Sequence, residues 1–375
     1  MDITFILPVT SQPRYWKRIN SLEKLGCNSK VLAFEREYIP ASKNNKNYII
    51  IGKLEKRKYY KRILPFIKVF TIIRNYIKHT DIIYVFGLDL LFLVWVARLF
   101  IKKKNKIVYE VGDIRSVLIG DSIHSFFLRW LERFLMKYIG LLVVTSEAYV
   151  TEYFIKIQGI KNIKYQVIEN KIVAEDVNKL LFRKHIKKTN VLTIGYFGLF
   201  NCKRTLEILK NVAIQGGRKI EIHIRGVNMT AKDLIKDIKG IPNIKYYGSY
   251  KAPDDLSQIY GMIDIVWACY HPLSENKLGN WMWARTNRFY EACFFNIPMI
   301  TQRNTEDCKI VEKFQIGLCL DLSNIQKAVE QLLSINNDQF IKWEHKIKNI
   351  PEDIYIYKFE HILLYKRLIE LKKTQ

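Results

Sequence analysis

Residues 192–207, LTIGYFGLFNCKRTLE, decide the fold. The apolar run up to Gly198 reads as a strand, the residues after it as a short loop carrying Lys203 and Arg204, and a helix is predicted to start near Thr205. Strand, glycine, loop and helix in that order open a β-α-β unit. Gly198 lets backbone approach a ligand closely, the helix N-terminus offers unpaired N–H groups, and two cations can neutralise a diphosphate. The same four-part pattern occurs in any α/β protein, so alone it fixes the architecture and leaves the ligand open.

Outward from this stretch the rhythm repeats. KIEIHIRG at 219–226, IKYYGS at 244–249, DIVWACY at 264–270 and IPMITQ at 297–302 read as further strands. Upstream, ITFIL at 3–7, KVLAF at 30–34, YIII at 48–51, DIIYVF at 81–86, KIVYEV at 106–111, LLVVTS at 141–146 and YQVIE at 165–169 do the same, separated by segments with helical apolar spacing. The charged stretch 170–190 interrupts the pattern. The expectation is α/β throughout, with a Rossmann-like domain over 1–171, a linker over 172–190 and a second Rossmann-like domain over 191–351, the two facing across a cleft. A C-terminal helix over 352–375 either caps the second domain or crosses back to the first.

Composition excludes several classes. With 49% hydrophobic and 26% charged residues in 375, the chain can bury two cores, which removes disorder and collagen-like repeats from consideration. Lys and Arg number 61 against 36 Asp and Glu, and residues 1–190 hold 35 of the basic and 16 of the acidic side chains. The anionic partner implied by that excess therefore belongs mainly to the first half. The six cysteines form no C-x-x-C pair and read as reduced thiols. An acid rather than a basic region precedes the first apolar run, so no signal peptide is expected. Residues 82–101 approach the length of a membrane span, but Asp89 and Arg98 would each cost about 2–3 kcal/mol near the bilayer centre, and Gly87 splits the stretch into a strand and a buried helix.

A second informative stretch is RTNRFYEACFFNIP, 285–298. Phe289, Ala292, Cys293 and Phe295 can face a core, which would leave Arg285, Arg288 and Glu291 at three-residue spacing on an exposed side. Read with 195–207, it resembles the GT-B glycosyltransferases, in particular the family-4-like enzymes that build bacterial surface polysaccharides. Gly198 and Arg204 match that family's G-x-x-x-x-x-[KR] loop, with Lys203 adjacent, and the resemblance implies that they hold the donor diphosphate. Asn287, Arg288, Tyr290, Glu291 and Pro298 match its N-[RK]-x-Y-E-x-x-x-x-x-x-P element, whose Glu accepts hydrogen bonds from the nucleotide ribose. GSYKAPDDL at 248–256 resembles the turn near the nucleobase, which places Tyr250 there, and Asn170 resembles the residue that closes the first domain. Trp283 stands where the family has an earlier acid that contacts the transferred sugar; Tyr270, His271 and Glu275 are the candidates to replace it.

The resemblance implies an enzyme that moves a sugar from a nucleotide-diphosphate donor to a saccharide or lipid-linked saccharide, with retention of configuration. Arg204 would stabilise the departing diphosphate, and Asp113, or Glu110 beside it, would orient or deprotonate the acceptor hydroxyl. Asp113 equally suits a helix cap. No close pair of histidines with carboxylate or thiolate partners, and no D-x-D element, points to a metal, so neither metal nor cofactor is expected. The basic, aromatic run 53–78 and the lysines of 102–106 suit an anionic membrane surface, a peripheral position at the cytoplasmic face of the cell membrane being the implied location. No zinc-finger, ribonucleoprotein or KH pattern supports nucleic acid. An inverting transferase or epimerase of the same fold, and a non-catalytic basic adaptor, are the rival readings.

Overall fold

The strand segments carry apolar residues at nearly every position, as strands covered on both faces must. In a computed structural model, which describes residues 1–36, 48–54, 63–103, 105–177, 191–200, 202–228, 238, 240–270 and 278–374, they form two all-parallel sheets. Contacts divide the chain into one unit of residues 1–169 with 359–375 and another of 170–358.

The first unit holds β1 (Asp2–Leu7), β2 (Asn28–Arg36), β3 (Ile49–Leu54), β4 (Ile82–Phe86), β5 (Lys106–Val111), β6 (Ile139–Val144) and β7 (Tyr165–Val167), in the order β3-β2-β1-β4-β5-β6-β7. Strand order reverses between β1 and β4, which is where open parallel sheets leave a crevice at the carboxyl ends of their strands. Residues 82–101 resolve into β4, Gly87 and the helix Leu88–Leu99, and no described helix is long and apolar enough to cross a membrane. The C-terminal helix begins at Glu360, later than the spacing predicts. Before it, Glu352–Ile354 makes a single tight turn and Ile356 bridges to Ile172, because IYIY alternates with a strand's period of two. Gly140 lies under Leu371, whose Cδ1 would stand 2.6 Å from a side-chain carbon at that position, so the helix packs on the first sheet at β6.

The second unit holds β8 (Leu192–Phe200), β9 (Ile220–Asn228), β10 (Ile244–Tyr246), β11 (Ile265–Trp267), β12 (Met299–Gln302) and β13 (Gly317–Leu320), in the order β10-β9-β8-β11-β12-β13. Its reversal lies between β8 and β11. Strand β13 has only four residues, so hydrophobic patterning does not find it. Strand β8 also runs two residues past Gly198, and the helix Lys203–Gly216 starts two residues before Thr205. Lys203 and Arg204 are therefore the first helical residues, not loop residues. The extension depends on β9: Gly198 pairs with Gly226, where a side-chain carbon would fall 1.8 Å from the Gly198 carbonyl oxygen. Gly226, at φ +143°, keeps the two strands paired to their ends.

Candidate functional site

In the second unit the deciding side chain is Arg288. Helix Asn287–Phe295 is seated by its N-terminus: Thr286 caps it by accepting from Phe289 N at 3.1 Å, and Thr286 N donates to the buried Asp307 carboxylate at 3.1 Å. The side expected to be exposed is not. Every residue from Arg288 to Phe295 is buried, Arg288 to 4% exposure, because the helix is packed on all sides within the core that includes Tyr260, Ile263 and Val266. Nor do Arg288 and Glu291 form the surface pair that their spacing suggests.

The Arg288 guanidinium instead reaches the carboxyl ends of β8 and β11. Nη1 donates to the Phe197 carbonyl at 3.0 Å, and the guanidinium lies over the rings of Tyr270 at 4.5 Å and Tyr196 at 5.5 Å. Nη2 is buried and makes no hydrogen bond, and among the described residues no carboxylate comes within ion-pair distance. Desolvation opposes the charge, but a guanidinium stays protonated at any accessible pH. A buried cation in this state is costly unless a counter-charge arrives.

Other groups converge on the same strand ends. Cys202 is the buried N-cap of helix Lys203–Gly216, its Sγ accepting from Thr205 N at 3.3 Å. The first turn of that helix contains Lys203, exposed, and Arg204, whose Nη1 donates to the carbonyls of Leu322 at 3.2 Å and Ser323 at 3.3 Å. Two cations at a helix N-terminus oppose the helix dipole and favour an anion there. Thr205 Oγ1 and Trp267 Nε1 are also buried without partners. Space above Gly198 is open, since nothing lies within 4 Å of where a side-chain carbon would stand.

Next to this cluster, Glu291 accepts from the Tyr260 hydroxyl at 2.7 Å. Burial pushes its carboxyl above the usual range, with Tyr260 and Arg288 opposing the shift. Tyr250 is half-buried at 6.3 Å from Phe197, and burial together with Glu291 raises its phenol. Asn287 Oδ1 accepts from Asn170 at 2.7 Å, so these two share the second unit. Trp283 is buried, and Tyr270 is committed to Arg288; His271 and Glu275 lie outside the described residues.

The first unit has a separate cavity of about 280 Å³ at its own strand reversal, lined by Pro8 and Val9 after β1, Gly87 after β4, and the end of β5. Asp113 and Glu110 both line it but differ in state. Glu110 is 1% exposed; Arg18 Nε donates to it at 3.1 Å and the Tyr84 hydroxyl at 2.5 Å, so its charge is already matched. Asp113 is exposed and accepts from Arg14 Nη1 at 3.2 Å. Gly112 makes room for that contact: a side-chain carbon there would stand 2.2 Å from Arg14 Nη1. The N-cap of the next helix, Ser116–Ile119, is Arg115.

Sequence spacing did not single out Asp307, Gly226 or the grouping of Cys308, Glu312 and Cys319, whose ligand atoms lie within 4.8 Å of one another. The two thiols stand eleven positions apart in sequence, which matches no ligand motif. The hydrogen bond with Cys319, and burial, hold the Cys308 thiol protonated.

No protein-family model matches the chain. The succinoglycan biosynthesis protein ExoL of Rhizobium meliloti (strain 1021) is 26% identical over 267 residues, which cover 69% of this chain and 64% of that relative's length. Among solved structures, the sucrose-phosphate synthase of Thermosynechococcus elongatus superposes with a TM-score of 0.71 at 12% identity, all of both chains being covered. The lipopolysaccharide outer core galactosyltransferase WaaB in its apo form gives 0.68 at 13%, over 99% of each chain. HepE of Anabaena in complex with UDP-glucose gives 0.68 at 14%, over the whole of both. These likenesses establish the fold: the chain has the paired parallel α/β sheets of the GT-B glycosyltransferases.

Proposed function

We propose that the protein is a glycosyltransferase of cell-surface polysaccharide synthesis, moving a sugar from a nucleotide-diphosphate donor to a saccharide or lipid-linked saccharide. The observation that carries this reading is Arg288: a buried guanidinium with a free donor, aimed at the strand ends where the sheet order reverses, and, among the described residues, no carboxylate in ion-pair contact with it. A diphosphate supplies the missing charge. Lys203, Arg204 and the N-terminal amides of their helix add to it, and the positive charge is worth most as the diphosphate departs and its own negative charge grows.

Glu291 would accept from the donor's ribose hydroxyls, Asn287 and Tyr250 would frame the nucleotide, and the open backbone at Gly198 would lie against the phosphates. In a retaining reaction the leaving phosphate takes the acceptor proton on the same face, so no protein nucleophile is required. Metal is unnecessary where fixed cations do the charge compensation. On the acceptor side Asp113 is the better placed acid, since it is accessible where Glu110 is locked, and Arg14 would hold it in position. The acceptor would come from the cytoplasmic face of the membrane, and nucleic acid has no part in the scheme.

A melting assay with UDP, GDP, ADP, CMP and dTDP tests this. One diphosphate is expected to stabilise the protein, with UDP the first to try because the Anabaena neighbour was solved with UDP-glucose. Absence of any shift would favour a non-catalytic basic adaptor and sink the transferase reading.

A further inference from the structure

The helix Ile123–Met136 leaves one face uncovered. Ile123, Phe126, Phe127 and Trp130 recur at i, i+3, i+4 and i+7 on it and are 81%, 65%, 57% and 51% exposed. Four large apolar side chains aligned in water on a single stripe mark a contact surface. Rings continue the stripe inward: Phe127 stacks on Trp130 at 5.8 Å, Trp130 on Phe134 at 6.0 Å, and Phe134 meets Trp95 of helix Leu88–Leu99 at 5.2 Å. That helix ends in exposed Leu99 and Phe100, with Lys102 and Lys103 following.

Charge selects the partner. The one acid within Ile123–Met136 is Glu132, which is fully buried, while His124, Arg133 and the adjoining Lys137 are exposed. Asp121, just before the helix, is the one exposed acid beside it, so cations predominate around an aromatic stripe, a pattern complementary to anionic headgroups over acyl chains. We propose that this helix lies in the interface of an anionic bilayer and is the membrane contact of the protein. The basic run 53–78 is not needed for it, and residues 55–62 of that run lie outside the described residues.

The other side of the same helix bears on the substrate. Glu132, held by the Tyr109 hydroxyl at 2.8 Å, by Gln158 at 2.9 Å and by Tyr153, lines the cavity beside Asp113. One helix, about 10–12 Å across, thus separates lipid from the acceptor cavity. The acceptor is then an oligosaccharide carried on a membrane lipid, a conclusion that rests on the transferase reading above.

The test is sedimentation of the full chain with phosphatidylcholine vesicles, with and without phosphatidylglycerol. Wild type should bind the phosphatidylglycerol vesicles, and Phe127→Ser with Trp130→Ser should lower partitioning at least about tenfold. Both side chains are already exposed, so the melting temperature and any nucleotide-induced shift should stay as in wild type. Lipid-borne quenchers should quench tryptophan fluorescence in wild type and less in Trp130→Phe. Undiminished binding by the double variant, equal binding to neutral vesicles, or quenching unaffected by Trp130→Phe would overturn the proposal. So would a dimer in solution that the double variant abolishes, since the stripe would then serve a second copy. If no nucleotide shifts either protein, the transferase reading fails while the vesicle result still judges the membrane contact.

Discussion

Two arginines, one in each unit, are equally buried and have opposite surroundings. Arg18 projects from the inner face of helix Pro13–Lys24 and is matched at 3.1 Å by Glu110, itself held by Tyr84. Arg288 has tyrosine rings, one backbone carbonyl and an unused N–H. The first charge is complete within the fold; the second, on the proposal above, is completed by a bound diphosphate. Burial alone therefore does not distinguish a structural cation from a binding one, whereas the partner does.

The comparison breaks most visibly at Glu110. Glu110→Gln leaves Arg18 buried without its counter-charge, and losing one member of a buried pair costs about 3–5 kcal/mol. Urea unfolding should show that loss, with any nucleotide-induced stabilisation per bound ligand unchanged. A loss below about 1 kcal/mol would mean that water reaches Arg18 and that the two arginines are less different than their contacts indicate.

Arg288→Met should do the reverse. Removing an uncompensated cation leaves the stability of the free protein within about 1 kcal/mol of wild type, because the desolvation relieved offsets the lost ring and carbonyl contacts. Transfer should fall about 10²–10³-fold in kcat, the usual effect of deleting one preorganised donor at a developing charge, and nucleotide stabilisation should disappear. A variant that melts far below wild type yet still responds to nucleotide would place Arg288 with Arg18, as a structural residue.

How much of this the sequence discloses depends on the kind of feature. Each of the twelve strands it suggests has an observed counterpart, because fully buried parallel strands are unbroken apolar runs; β10 and β11 are cut to three residues, and β13 is too short to signal itself. The stretch around Gly198 was legible as strand, glycine, cations and helix, though β8 overran the predicted end through pairing of Gly198 with Gly226, a long-range contact no local pattern encodes. At 285–298 the residue types were right and the environment was not. Helical periodicity assigns one face to the core, and a helix enclosed on every side looks the same until its neighbours are known. For the same reason Glu110 and Asp113 are interchangeable in sequence and distinct in the fold: Arg18 approaches one from ninety-two residues away, Arg14 the other.

Asp307 sharpens the comparison through pH. Burial pushes its carboxyl up to about 7 from an ordinary 3.8, with Thr286 opposing the shift. The folded state thus binds a proton that the unfolded chain has released, so the associated stabilisation is complete below pH 3.8 and is lost as pH rises through 7. Between pH 5 and 6.5 that decline amounts to about 2 kcal/mol at the limiting slope of 1.4 kcal/mol per pH unit. Asp307→Asn should flatten the stability profile over that window relative to wild type. Parallel profiles would show that the carboxylate stays ionised beneath the amides of helix Asn287–Phe295.

The smallest expected effect falls on Glu291. Its carboxyl is raised by burial, so holding it ionised burdens the free protein, and the Tyr260 hydroxyl offsets only part of that. Glu291→Gln keeps an oxygen for Tyr260 and removes the charge. The free protein should be as stable as wild type or more so at pH 7, while affinity for the stabilising nucleotide drops about tenfold, the worth of one charged hydrogen bond weakened to a neutral one. Affinity for the matching free base should not change, because the contact in question is to the ribose. Equal loss with base and nucleotide would instead indicate that Glu291 acts by holding Tyr250 and Tyr260 in place.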